Sequence, residues 1–103
     1  MNRIERIEQF LKEQPKDNFL RHALALEYVK LGDDAKAKEL FVAIVTEFPD
    51  YVGTYYHLAK LLERENNTTD ALAWYEKGME QAKLTKDQHA YNELQAAYED
   101  LAY

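Results

Sequence analysis

The chain has 103 residues, with 13 Lys and Arg against 19 Asp and Glu and a formal net charge of −6. That length fits one compact domain whose apolar residues are mostly committed to holding it together. The absence of cysteine excludes a disulfide framework and any thiolate site, and the acidic balance without a Lys/Arg cluster argues against backbone-driven nucleic-acid binding.

No stretch is long and apolar enough to cross a bilayer. The opening MNRIERIEQF mixes charges with apolar residues, unlike a signal peptide. A soluble, cytoplasmic protein with no membrane partner is expected. Only three glycines and two prolines occur, among abundant Ala, Leu, Glu and Lys, a helix-forming composition.

Punctuation divides the chain into six helical pieces. The first runs from about Asn2 to Gln14, with Ile4, Ile7, Phe10 and Leu11 on one stripe. Pro15 ends it, and Asp17 caps a second helix over about Asn18 to Leu31 that presents Leu20, Leu24, Tyr28 and Leu31. Gly32 suits the end of that helix because it accepts positive φ without a steric penalty. Asp33 or Asp34 starts the third helix, whose apolar positions are Ala37, Leu40, Phe41, Ile44, Val45 and Phe48. Pro49 stops it and Asp50 offers the next cap. The fourth helix, about Tyr51 to Glu65, carries Tyr55, Leu58, Ala59 and Leu62 at helical spacing, and Asn66 and Asn67 break the pattern. Asn67 and Asp70 have the spacing of a capping box for a fifth helix that continues to about Leu84. Thr85 and Gln88 repeat that arrangement ahead of a last helix bearing Ala90, Tyr91, Leu94, Ala97, Tyr98 and Leu101.

The connections are a few residues long, so consecutive helices should pack as antiparallel neighbours. A plain short-loop bundle would satisfy this much. A further signal lies in the register of 34 residues that aligns Asn18–Tyr51 with Val52–Thr85. Leu24 then falls on Leu58, Ala25 on Ala59, Tyr28 on Leu62, Ala37 on Ala71, Phe41 on Tyr75 and Ile44 on Gly78. Small residues meet small ones, as helices in close approach require.

This pattern resembles the tetratricopeptide repeat, a helix–turn–helix unit of that length. The landmarks are Leu24, Ala25, Tyr28, Gly32, Ala37, Phe41, Ile44 and Pro49 in the first copy. In the second they are Tyr55, Leu58, Ala59, Leu62, Asn66, Ala71, Tyr75 and Gly78. Arg21 stands where the first copy should have a large aromatic, and Lys83 where the second should have proline. The resemblance implies an all-α, right-handed superhelical stack of antiparallel helix pairs over residues 1–103. Its parts are an N-terminal half-unit helix over 2–14, repeats over 18–51 and 52–85, and a capping helix over 86–101. Gln14–Pro15 matches Phe48–Pro49, and Tyr91, Leu94 and Tyr98 match a first helix after a slip of about two residues.

In such stacks the first helix of each unit lines a concave face. The resemblance therefore implies a groove built from Phe19, His22, Ala23, Leu26, Val29 and Lys30, then Gly53, Tyr56, His57, Lys60, Glu63 and Arg64, then His89, Asn92, Glu93, Ala96, Glu99 and Asp100. Phe19, Leu26, Val29 and Tyr56 are apolar on a face that the fold need not bury, which suits the apolar side chain of a protein or peptide partner. Coverage by the first helix or by a second molecule is the competing expectation, and a homodimer would depend on Tyr98, Leu101 or Phe19. Charge along the groove goes from mixed to acidic, so a bound peptide should prefer basic residues at the C-terminal end of the module. The Lys/Asn/Arg set with which some relatives hold a terminal carboxylate is replaced here by His22, Leu26, His57, His89 and Glu93, and that activity is not carried over.

All three histidines fall on this face. Imidazoles bind zinc or nickel, or create a proton-dependent contact near pH 6.5, yet no Asp or Cys has ligand spacing beside them. No metal and no cofactor is therefore expected. Serine and cysteine are both absent, and there is no glycine-rich phosphate loop or His-Glu-x-x-His run. A non-enzymatic binding module is the expected function, with structural self-association as the alternative.

Overall fold

The computed structural model describes residues 2–103, among which every regular element is a helix. In chain order these are α1 (Arg3–Glu13), α2 (Asn18–Leu31), α3 (Asp34–Glu47), α4 (Gly53–Arg64), α5 (Thr68–Leu84) and α6 (Gln88–Ala102). Each packs against its chain neighbour, and α4 also touches α6. The body is elongated, 44 × 29 × 19 Å.

Turn chemistry explains where the helices stop. The α2–α3, α4–α5 and α5–α6 connections each place one residue in the left-handed region: Gly32 at φ 80°, Asn66 at 62° and Lys86 at 60°. The following N–H in each case reaches back to a carbonyl of the last turn: Asp33 to Tyr28, Asn67 to Leu62 and Asp87 to Ala82, all at 2.9 Å. These bonds satisfy carbonyls that the helix end leaves orphaned. The same residues then cap the next helix. Asp33 accepts from the Lys36 N–H at 3.2 Å, Asn67 from Asp70 at 3.2 Å and Asp87 from Ala90 at 3.0 Å. One residue thus closes one helix and opens the next.

Two expected caps are corrected. The cap of α6 is Asp87, not Thr85 paired with Gln88. Thr85 is instead the last residue of α5's terminal turn, its hydroxyl donating to the Ala82 carbonyl at 3.3 Å. The physical reason is the missing proline: with Lys83 in its place α5 runs to 17 residues against 14 in α3, and the turn that follows is of the left-handed type. Asp50 likewise does not cap α4. That helix begins at Gly53 behind Val52, which makes no side-chain cap. Backbone bonds from Thr54 to Tyr51 and from Tyr55 to Val52, both 3.4 Å, form its entry. The Asp17 cap and the reciprocal Asn67–Asp70 pair are as expected.

The core follows the repeat register. Ala25, Ala37, Ala59 and Ala71 are all fully buried, as are Phe41 and Tyr75, so equivalent residues have equivalent surroundings in the two hairpins. At one position the hairpins differ by compensation. A Cβ on Gly78 would lie 2.7 Å from Tyr55 Cβ and 3.0 Å from Leu94 Cδ1. Tyr55 is fully buried there and donates its hydroxyl to the Pro49 carbonyl at 2.6 Å. In the first hairpin the same two positions are Arg21 and Ile44, both buried. A bulky first-helix residue faces no side chain in one copy; a slender aliphatic stem accompanies a branched one in the other. The Arg21 guanidinium is anchored by Asn18 Oδ1 at 2.8 Å and Glu47 Oε1 at 3.3 Å.

Leu94, buried against Gly78, occupies in α6 the place of Leu58 in α4. This fixes the slip at two residues and puts exposed Gln95 where α4 has Ala59. At the other end Arg3 stands in α1 where α3 has Ala37 and α5 has Ala71. Large polar residues thus occupy the close-approach positions of both outer helices.

Gly78→Ala is expected to lower stability. Helix propensity contributes about 1 kcal/mol in favour, but overpacking costs about 1–3 kcal/mol, leaving a net loss of about 1 kcal/mol and a Tm lower by about 4–8 °C. Gly53→Ala, with open space around the added atom, should leave Tm level or higher. Thermal melts followed by circular dichroism check both, and a raised Tm for Gly78→Ala would show that the crossing has slack.

Candidate functional site

Helices α2, α4 and α6 are the first helices of successive units and lie side by side. Their matched positions form rows across a common wall: Phe19, Gly53 and His89; His22, Tyr56 and Asn92; Leu26, Lys60 and Ala96; Val29, Glu63 and Glu99; Lys30, Arg64 and Asp100. His57 and Glu93 form a further matched pair.

The apolar end lies on α2. A groove of about 450 Å³ is lined by Arg3, Phe19, His22, Ala23, Leu26, Glu27, Val29 and Lys30. Phe19 is 74% exposed, the freest apolar residue of the wall. Leu26, Val29 and Tyr56 are half-buried and pack partly against the core. They therefore serve the fold as well as any visitor. Helix α1 does not cover Phe19, although Arg3 reaches the groove and pairs with Glu27 at 3.5 Å.

Next to the groove, aromatic rings join the two hairpins. His22 Nδ1 lies 2.9 Å from Thr54 Oγ1, and its ring meets the His57 ring edge-on with centroids 5.1 Å apart. Phe41 lies 5.5 Å from His22 and 6.2 Å from His57, and Tyr56 lies 5.6 Å from His57. Burial, reinforced by the adjacent His57, pushes the His22 pKa down to about 4. Burial also lowers that of His57, against the opposing field of Glu93. The surroundings of both imidazoles thus disfavour the charged form, which weighs against a proton-dependent contact near pH 6.5 through this pair. His89 is exposed at the start of α6, without a ring contact to the other two. Among the described residues no three His, Cys, Asp or Glu side chains are grouped to hold a metal ion.

The charged side chains fall into two sets. Lys30 pairs with Glu27 at 3.1 Å, Lys60 with Glu63 at 3.5 Å, and Arg64 with Asp34 at 2.9 Å. Lys60 also sits over the Tyr56 ring, 5.6 Å from its centroid. Glu63 in turn accepts the Tyr75 hydroxyl proton. Glu93, Glu99 and Asp100 on α6 are exposed, and none belongs to an ion pair among the described residues. The basic side chains are answered internally, and the acids of α6 are open to solvent.

Two features escaped the sequence reading. Thr54 is fully buried and holds His22; its signal was the hydroxyl residue standing in register with Leu20. Glu27, which lines the groove, and Asp34, at the start of α3, are the acids that answer Lys30 and Arg64.

The histidine pair makes stability depend on pH. His22 has a folded pKa near 4, below its ordinary 6.5, so its contribution is present above pH 6.5 and is lost as pH falls from 6.5 through 4. Tm should drop over that window, and His22→Asn should make the drop smaller by removing one titrating group. Melts at pH 7 and pH 4.5 test this; equal drops in both proteins would remove His22 as a cause.

Comparison with known proteins gives a consistent result. The tetratricopeptide repeat family model matches residues 52–83. A tetratricopeptide repeat domain protein from Salinibacter ruber, solved in solution, is 45% identical, with 84% of this chain and 88% of that chain covered and a TM-score of 0.81. A crystal structure of a tetratricopeptide repeat domain protein from the same organism is 44% identical, covering 84% of this chain and 96% of that one, with a TM-score of 0.80. A solution structure of a Bordetella parapertussis protein is 25% identical over 99% of this chain and 89% of that one, with a TM-score of 0.84. No curated protein matches. Two hairpins in a 34-residue register, shared alanine crossings and relatives of this identity place the chain in the tetratricopeptide repeat family.

Proposed function

We propose that the wall of α2, α4 and α6 binds a segment of another protein and that the chain carries out no chemistry of its own. The observation that carries this reading is the groove on α2, where Phe19 stands 74% exposed beside a surface of Ala23, Leu26 and Val29. An exposed aromatic at the edge of a preformed apolar surface is the usual anchor of a small interface. Family membership supports it, since tetratricopeptide domains generally act as binding scaffolds. The His22–His57 pair and the fully buried Thr54 hydroxyl bonded to it form an interior contact between hairpins in this reading. A cytoplasmic location fits a chain without cysteine.

Because Leu26 and Tyr56 also support the core, the clean probe is Phe19. Affinity capture from cell extract with the wild type should retain a defined protein, and Phe19→Ser should weaken its retention about tenfold, the scale of a lost aromatic anchor. Leu84→Ser at the end of α5, an exposed apolar residue away from the wall, should leave retention unchanged. Equal recovery by wild type and Phe19→Ser, both folded by circular dichroism, would reject the wall.

A further inference from the structure

Resting on that binding reading, we infer that the occupant of the wall is a basic amphipathic peptide. It places one apolar side chain in the α2 groove and Lys or Arg against the free acids of α6. The argument is one of uncompensated charge. Each cation on the wall is held by an acid of the same chain, Lys30 by Glu27, Lys60 by Glu63 and Arg64 by Asp34. A ligand carboxylate would have to displace one of these partners.

On α6 the balance is opposite. Its sequence contains no Lys or Arg, Lys86 being the last of either in the chain, and His89 at its start is its one histidine. Glu93, Glu99 and Asp100 are exposed without an ion pair. A cation arriving there meets negative potential and breaks no existing bond. Charge of this kind sets orientation and encounter rate, so the apolar side chain is directed to the opposite end.

Geometry sets the spacing of the two anchors. Packed helices stand about 8–10 Å apart, so α2 and α6, two helices apart, are separated by roughly 18 Å. An extended chain crosses that distance in roughly five or six residues. The recognised pattern is therefore an apolar residue followed or preceded, at about that interval, by one or more basic residues. A second copy of this chain is a poorer occupant. It carries a net charge of −6, and Arg3 and Gln95 obstruct close approach to its outer helices.

The test is selection from a phage-displayed library of random peptides, followed by binding of the selected peptides to the wild type, Phe19→Ser and the triple variant Glu93→Lys/Glu99→Lys/Asp100→Lys. All substituted side chains are exposed, and circular dichroism checks that both variants stay folded. Selected peptides should be enriched in Lys and Arg about five or six residues from an apolar residue. Their affinity for the triple variant should fall about tenfold, and it should weaken for the wild type as salt is raised. Peptides without basic enrichment, or peptides that bind the triple variant as well as the wild type, would overturn the inference. The binding reading would survive if those same peptides still lost affinity on Phe19→Ser. Failure to select any peptide, or indifference to both variants, would overturn both. A concentration-dependent dimer in sedimentation that Phe19→Ser dissolves would show a second copy on the wall and overturn the inference too.

Discussion

The architecture depends on how closely paired helices approach. Ala25 with Ala37, and Ala59 with Ala71, occupy the same positions in the two hairpins without any exposed surface. A methyl group at each keeps the helix axes near enough for Phe41 and Tyr75 to fill the space alongside. Interiors are packed like crystals and resist the insertion of even one carbon. The first-helix faces are consequently held in parallel rows, and the wall has a shape before anything binds it. Gly78 carries the same constraint further, since its missing side chain makes room for Tyr55 and Leu94 together.

That rigidity accounts for the chemistry of the wall. His22 and His57 are brought together by the stacking of one hairpin on the next, and burial disfavours their charged forms. They knit the seam as aromatic bodies with a polar edge, Thr54 supplying the hydroxyl partner. With the charged forms of His22 and His57 disfavoured and the lysines and arginine paired, the electrostatic character of the surface is left to α6. The surface accordingly presents a few free carboxylates and one projecting phenyl ring, not an extensive charged field.

Much of this was legible in the residue pattern, for reasons that differ from one part to another. The six helices were visible because Pro15, Gly32, Pro49 and the Asn66–Asn67 pair interrupt strong apolar periodicity. Their stacking was visible because alanine recurs at fixed spacing where close contact is needed. The histidine pair was visible too, once the first helices were aligned. Its protonation was not, since burial depends on Phe41 and Thr54 arriving from other helices. The caps at Asp50 and at Thr85–Gln88 were misread because spacing alone does not reveal which residue enters the left-handed region. Lys86 does so without being glycine or asparagine, and Asp87 behind it becomes the cap. Leu26, Val29 and Tyr56 looked free because alternation along a helix marks its faces but does not tell how deeply a neighbour covers them.

Arg3 and Gln95, the bulky polar residues at the two outer crossings, have an implication for how such a surface can change size. Between Phe48 and Val52, by contrast, an inserted pair of helices would find alanine crossings on both flanks. Each insertion would lengthen the track by one strip and move the phenyl anchor and the carboxylates farther apart. The number of interior hairpins thus sets how far apart those two features stand.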